Sequence, residues 1–333
     1  MSQLSILVAG ATGQIGSHII PILLAKGHKV RALVRRADDT IHGVPDGMIE
    51  YAVGSLDDKD SLIRALKGIH TVVSSANAII PSGTTMSVKA ISETGYDNFV
   101  SAAEAAGVRH WVQSSVPAVS PRFDATVPEL AGKRIIEARL ERSTIAHTIV
   151  RNPAFMDVWM VMTGAGKNAA NNHPHATTGR PYGFMKMWLS LTGNLVAKRG
   201  ILLAPGGRGH GSPFIAVEDV ANLMAGVVGK QSAYNRTLES GGPEWVTWGE
   251  VAELMQKKTG RKIRVIPMPG WIANVGSKLM KPIWPSASNI LALVKLVATH
   301  QPDWRSAPIV SEFDLPKQMT LSEYLDRHWS PAK

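Results

Sequence analysis

Three glycines spaced three apart carry the first chemistry in this chain. They lie in Gly10-Ala11-Thr12-Gly13-Gln14-Ile15-Gly16, directly after the apolar run Leu4–Ala9 and directly before the apolar-periodic stretch Ile19 to Leu24. Strand, glycine turn and helix start together form a phosphate cradle, because the first N–H groups of a helix have no partner within it and carry the positive end of its dipole. Gly10 permits the tight turn, Gly13 lets backbone approach a pyrophosphate and Gly16 lets the helix pack close to the strand. Thr12, Gln14 and Ile15 complete the turn. Glycines alone are a weak signal, since a tight strand-to-helix turn needs them with or without a ligand; the flanking strand and helix give the motif its specificity. The reading is a dinucleotide site. A second pair of residues refines it. Strand His28–Val34 ends in Arg35-Arg36, about 20 residues past the glycines, where a fold that prefers NAD places an acid on the ribose 2′-OH. Two guanidinium forks there suit a 2′-phosphate, so the expected cofactor is NADP(H), although Arg36 also reads simply as a solvated loop charge.

The elements that must hold these residues alternate. Ile49–Val53 reads as a third strand. Asp57 reads as the N-cap of a helix carrying Leu62 and Leu66 and closed by Gly68. Thr71–Ser74 is a fourth strand, a long helix runs from about Val88 to Ala106, and His110–Ser114 is a fifth. A helix from about Pro128 to Arg142 then precedes a sixth strand, Ile145–Val150. Alternation of this kind predicts an α/β fold, a doubly wound parallel sheet with right-handed crossovers and its ligand across the carboxyl ends of the strands. That rule adds Ser75, Ala76 and Asn77 after the fourth strand, and Pro153 and Phe155 after the sixth, to the cofactor candidates. After residue 155 the alternation breaks. A strand is expected at 213–217, helices at 218–228 and 248–258, and a strand at 262–266. The segment 164–183, rich in Gly, Asn, His and Pro, is expected to be a loop. The domains read as 1–155 for the cofactor and 156–333 for a smaller α+β substrate region, partly interleaved with the first.

Composition closes off other classes. The 333 residues are 44% hydrophobic and 19% charged and contain no cysteine, which excludes disulfides, thiolate catalysis and cysteine metal sites and makes a cytoplasmic address the simple expectation. The first strand begins by Leu4, leaving no room for a signal peptide, and no apolar run approaches the length of a membrane span. The net charge of +10 invites a nucleic-acid reading. The cations read as mostly interspersed with acids, however, and the dense run Lys257–Arg264 reads as a helix C-terminus capped at Gly260 and followed by a strand. No nucleic-acid partner is expected. His173-Pro174-His175 lies in the loop-like segment without neighbouring carboxylates, so no metal site is expected either.

These residues resemble the NmrA-like group of atypical short-chain dehydrogenases/reductases, over most of the chain. The resemblance rests on GATGQIG at 10–16, LVRR at 33–36, Ala105–Val108, and Lys133 ahead of Thr148–Phe155. Phe214–Ala221 and Gly241-Gly242-Pro243 extend it. It implies a Rossmann-type NADP-binding domain with a smaller carboxyl-terminal substrate region, and a family that includes isoflavone and lignan reductases, quinone and dye reductases, and catalytically silent redox sensors. The departures bear on chemistry. Relatives with dehydrogenase or epimerase activity carry Tyr four residues before the active Lys, and here that residue is Glu129. A Tyr-x-x-x-Lys at Tyr182 to Lys186 follows the sixth strand instead of preceding it and reads as coincidence, with Tyr182 kept as a substrate contact. The serine of the superfamily falls at Ser114 or Ser115, or its place is taken by Val116. Ser55 stands after Gly54 where an acid often does, and the expected Arg-Pro after the sixth strand is Arg151-Asn152-Pro153.

Lys133 is the remaining catalytic candidate implied by the resemblance. It lies three and seven residues before Ile136 and Leu140 on its helix, so it can emerge near the carboxyl edge of the sheet, where an ammonium would hold ribose hydroxyls and stabilise charge developing on a substrate oxygen. Eight of the nine Trp follow residue 155, which suits a flat, apolar acceptor such as a quinone or conjugated carbonyl, although any one of these side chains also reads as core. Phe155 is placed against the nicotinamide, and Met156 and Trp159 against the acceptor. The function expected is an NADPH-dependent reductase of a small apolar acceptor, in a chain compatible with a homodimer. A redox-sensing NADP(H)-binding regulator is the alternative suggested by the missing Tyr. A structural subunit is the third reading, suggested by helices at 268–299 with Trp271, Trp284 and a basic rim.

Overall fold

The computed structural model describes residues 3–76, 87–166, 173–174, 183–301 and 309–330. Its first part follows the expected alternation: β1 (Ser5–Ala9), α1 (Gln14–Ala25), β2 (Lys29–Val34), β3 (Glu50–Val53), α2 (Lys59–Leu66), β4 (Thr71–Ser74), α3 (Val88–Ala90), α4 (Tyr96–Ala105), β5 (His110–Ser115), α5 (Pro121–Thr126), α6 (Pro128–Glu141) and β6 (Ala146–Arg151). The second part comprises α7 (Met156–Met160), α8 (Gly183–Thr192), β7 (Ile201–Pro205), β8 (Gly211–Ser212), α9 (Val217–Gly226), β9 (Arg236–Glu239), β10 (Val246–Thr247), α10 (Trp248–Thr259), β11 (Arg264–Met268), α11 (Gly270–Met280), α12 (Pro285–Thr299), α13 (Ile309–Glu312) and α14 (Leu321–His328).

Seven strands form one sheet in the order β3-β2-β1-β4-β5-β6-β9, parallel throughout. This is a Rossmann-like α/β fold, with its change of direction between β1 and β4. Because strand side chains alternate between faces, β1 serves two cores. Ile6 and Val8 pack with Ile19, Ile20 and Leu23 of α1 and Val220 and Met224 of α9. Leu7 and Ala9 pack with Leu62 and Leu66 of α2, Phe99 of α4 and Ile136 and Leu140 of α6. A third core joins Met156 and Trp159 to Trp248, Met255, Ala273, Ala287 and Tyr324. The halves are not independent: β9 pairs with β6 at the edge of the sheet, and α9 packs on α1.

Several expectations change. The cap of α2 is Asp58, not Asp57; its side chain accepts from Ser61 N–H. The helix expected from Val88 to Ala106 is interrupted by a π-helical turn at Ile91–Gly95. A Cβ on Gly95 would lie 3.1 Å from Leu56, and one on Gly132 of α6 would lie 2.5 Å from Ser92 Oγ, so the loop before α2 and helix α6 both pack tightly against the chain at that turn. The strand expected at 213–217 makes only one bridge, Ile215 to Phe155, and its last residue opens α9. Strands β7 and β9 were not read from the sequence. The end of α10 is as expected, with Gly260 left-handed at φ +66°, though the following strand is Arg264–Met268. Most of 164–183, including Tyr182, lies outside the described residues, as does Asn77.

Candidate functional site

The glycine turn sits at the change of sheet direction, the place where open parallel sheets bind ligands. Gly10 has φ +78°, and a Cβ there would lie 2.9 Å from both Ala76 N and Ser75 Oγ, so the loops after β1 and β4 touch. A Cβ on Gly16 would lie 2.2 Å from Gly10 O; this is the close helix–strand approach that the spacing predicts. Gly13 is the N-cap of α1 and supplies no side-chain cap, and the positive end of the helix dipole points at the place an anion would take. The β4 loop is fixed from below by Tyr96. Its hydroxyl donates to Ala76 O at 2.7 Å and accepts from Gln113 Nε2 at 3.3 Å, with Ser74 Oγ 2.8 Å away. Burial pushes the Tyr96 phenol up to about 12, outweighing the hydrogen bonds from Ser74 and Gln113, so it stays protonated and keeps donating. Sequence reasoning missed Tyr96, which is one aromatic on a helix among many.

Lys133 is 4% exposed, far from a solvated helix lysine. Its Nζ donates to Ser114 O at 3.1 Å, at the carboxyl end of β5, and stands 3.8 Å from Glu129 Oε1, one helical turn earlier. Glu129 is itself 8% exposed. The residue in the place of the missing phenol is therefore a buried carboxylate paired with the lysine. Lys133, Glu129, Tyr96 and Ser92 line a small cavity of about 10 Å³, close to the space one water needs. Of the two serines, Ser115 Oγ donates to Glu137 Oε1 at 2.6 Å. Glu137 also accepts from Arg134 and Arg151, so Ser115 belongs to an ion-pair network. Ser114 Oγ accepts from Asn152 Nδ2 at 3.1 Å, while Asn152 Oδ1 accepts from Ser240 Oγ at 2.9 Å. Buried Asn152 thereby ties the ends of β5 and β6 to the segment after β9, a role that its place in Arg151-Asn152-Pro153 did not disclose.

Arg35 and Arg36 are exposed at the end of β2. The Arg36 fork meets Asp39 Oδ1 at 3.0 Å and Asp38 Oδ1 at 3.7 Å, so a 2′-phosphate would compete with two carboxylates for it. Phe155 and Pro153 are half-buried after β6. Met156 is fully buried and Trp159 7% exposed, both within the core of the second half, with Trp159 6.4 Å from the Trp248 ring. His173 sets its ring 4.3 Å from that of His18 on α1.

Residues 2–325 match the model of the NmrA-like family, and the chain belongs to that family. It is 36% identical over 111 residues to sterol demethylase protein B of Methylococcus capsulatus, 33% of either chain. It is 24% identical over 261 residues to the NAD(P)H azoreductase of Xenophilus azovorans, covering 78% of this chain and 76% of that one. The chain spans from a third to about half the length of the first curated relatives it matches. In fold it is similar to the Escherichia coli NADPH-dependent quinone oxidoreductase QOR2 complexed with NADPH, at TM-score 0.70, 16% identity and coverage of 97% and 99% of the two chains. Of these, the azoreductase and the quinone oxidoreductase are by name NAD(P)H- and NADPH-dependent.

Proposed function

We propose that this member of the NmrA-like family is an NADPH-dependent reductase of a small, apolar, conjugated acceptor, with residues 1–155 holding the cofactor and 156–333 shaping the acceptor site. The observation that carries the reading is the pairing of two features at one edge of the sheet. A glycine cradle with no room for a Cβ at Gly10 or Gly16 stands at the change of direction, and the buried ammonium of Lys133 stands at the end of β5. The cradle fits a pyrophosphate, with Gly10, Thr12, Gly13, Gln14, Ile15 and Gly16 as its wall and the β4 loop, Ser75 to Asn77, as its other side. Arg35 and Arg36 would take a 2′-phosphate. Bound NADPH supplies the hydride. Lys133 holds ribose hydroxyls and stabilises negative charge that develops on an acceptor oxygen. Phe155 and Pro153 limit where a nicotinamide ring lies, and the apolar second half keeps water from the acceptor.

Oxidation of NADPH against a panel of quinones, conjugated ketones, isoflavonoids and lignans tests this. Turnover that falls at least about a hundredfold in Lys133→Ala establishes the reductase. The pairing of Lys133 with Glu129 and Ser114 O favours a second reading, a redox sensor that binds NADP(H) without turnover. Tight NADPH binding with no acceptor reduced across the panel would select it.

A further inference from the structure

Two long stretches of this chain contain no acid. From Val158 to Val217 there are six Lys or Arg and no Asp or Glu, and from Leu254 to Pro302 there are eight and none. In these two stretches no acid is interspersed with the fourteen cations, and the net positive charge of +10 falls mostly in the second half. Within the second stretch, α11 exposes an apolar row. Trp271 is 68% exposed, Ile272 51%, Val275 48% and Leu279 61%, and Ile283 in the turn that follows is 75% exposed. Trp271, Val275 and Leu279 recur at four-residue spacing and share one helix face, with Ile272 beside them. The opposite face, at Ala273, is buried toward α12. The row is therefore surplus to the fold. Exposed Lys278 and Lys281 flank it.

We propose that this face of α11 is a docking surface for a bilayer that carries anionic headgroups. An aromatic and aliphatic row flanked by lysines is how a helix lies in the interface, its apolar side chains among acyl chains and its cations among headgroups. A second copy fits it worse. A two-fold contact through the row would set Lys278 and Lys281 against their own counterparts, with no acid in α11 or α12 to offset them. The helix does not cross the membrane: among the described residues none is long and apolar enough to do so. The helix behind the surface also contacts the helix that carries Lys133. α12, packed against α11, meets the Lys133 helix through Ala292 against Val127 and Leu130, so docking would bring the acceptor region to the bilayer, where an apolar acceptor concentrates.

Flotation of the full-length chain with vesicles tests this, using phosphatidylcholine alone and phosphatidylcholine with phosphatidylglycerol. The chain floats with the anionic vesicles at least about tenfold more than with the neutral ones, and high salt reduces this. Trp271→Ser/Leu279→Ser and Lys278→Glu/Lys281→Glu each lose at least about tenfold, while melting temperature and NADPH binding stay as in the parent. The proposal is overturned by a parent chain that stays with the buffer for both vesicles, or by a Trp271→Ser/Leu279→Ser chain that floats as well as the parent. A parent that is dimeric without lipid and becomes monomeric on that double substitution also overturns it, and gives the row to a second copy.

Discussion

At the scale of single residues, the central feature is an ammonium and a carboxylate buried together. Taking two charges out of water is costly, and the pair offsets that cost only while both members remain. Lys133→Ala thus does two things: it removes the cation proposed to serve the reaction, and it leaves Glu129 unpaired. We expect it to lower stability by about 3 kcal/mol, seen as a fall in melting temperature, besides its effect on turnover. A double variant, Lys133→Met/Glu129→Gln, recovers most of the stability and none of the turnover, which separates the two effects. If the double variant melts as low as Lys133→Ala, the pair is not what the stability depends on. Tyr96 makes a different argument. Removing its hydroxyl leaves Ala76 O without its donor, so Tyr96→Phe costs about 1 kcal/mol and loosens the loop against which Gly10 packs. NADPH binding weakens several-fold as a result, measurable by titration of the fluorescence quench. The sequence pointed to Lys133, and to Glu129 in the place of the absent Tyr, through the family resemblance. It could not disclose Tyr96 or Asn152, because their partners Ala76 and Ser240 lie 20 and 88 residues away.

At the scale of elements, what is local was legible and what depends on partners was not. The strand, glycine turn and helix start at 5–25 were legible because they lie close together in sequence and Gly10 and Gly16 each answer one steric demand. Gly16→Ala would put a methyl 2.2 Å from the backbone oxygen of Gly10, which cannot yield as a side chain could. It should cost about 3 kcal/mol and abolish NADPH binding; an Ala variant that binds NADPH as the parent does would remove the cradle from the site. Strands β1 to β6 were legible for the same reason, as apolar runs bounded by turn residues. By contrast β9, Arg-Thr-Leu-Glu, has one buried side chain and owes its existence to the free edge of β6. Residues 213–217 show the converse: an apolar run of strand composition meets no partner strand, and only Ile215 finds a bridge. The π-helical turn at Ile91–Gly95 sits inside an unbroken helical pattern, and the residues packed tightly against it, Leu56 and Gly132, are far off in sequence.

At the scale of the whole molecule, buried carboxylates tie α7, α9 and the segment ahead of α14 to one another, and this sets how stability responds to pH. Asp157 of α7 accepts from Val217 N–H at the start of α9. Asp219 of α9 accepts from Met319 N–H ahead of α14. Burial raises Asp219 from the ordinary 3.8 to about 7, with the hydrogen bond from Met319 opposing and Glu218 and Asp157 adding to the rise against the pull of Arg327. The folded chain then holds a proton that the unfolded chain has released between about pH 4 and pH 7, so this group's contribution is complete below pH 4 and is lost as pH rises through 7, up to about 4 kcal/mol. His110 acts in the opposite sense. Burial lowers it from 6.5 to about 3, helped by His70 and His147, so its contribution is complete above pH 6.5 and is lost as pH falls toward 3. Across pH 4 to 6.5 the two slopes oppose each other and flatten the profile. Asp219→Asn keeps an oxygen for Met319 N–H but cannot ionise. The difference in stability between this variant and the parent should climb in favour of the variant from pH 4 to pH 7 and then level, and the variant alone should show the unopposed rise with pH that His110 imposes. Urea unfolding at a series of pH values measures both curves; parallel curves would show that Asp219 titrates alike in the folded and unfolded chain and does not set the pH response of the junction.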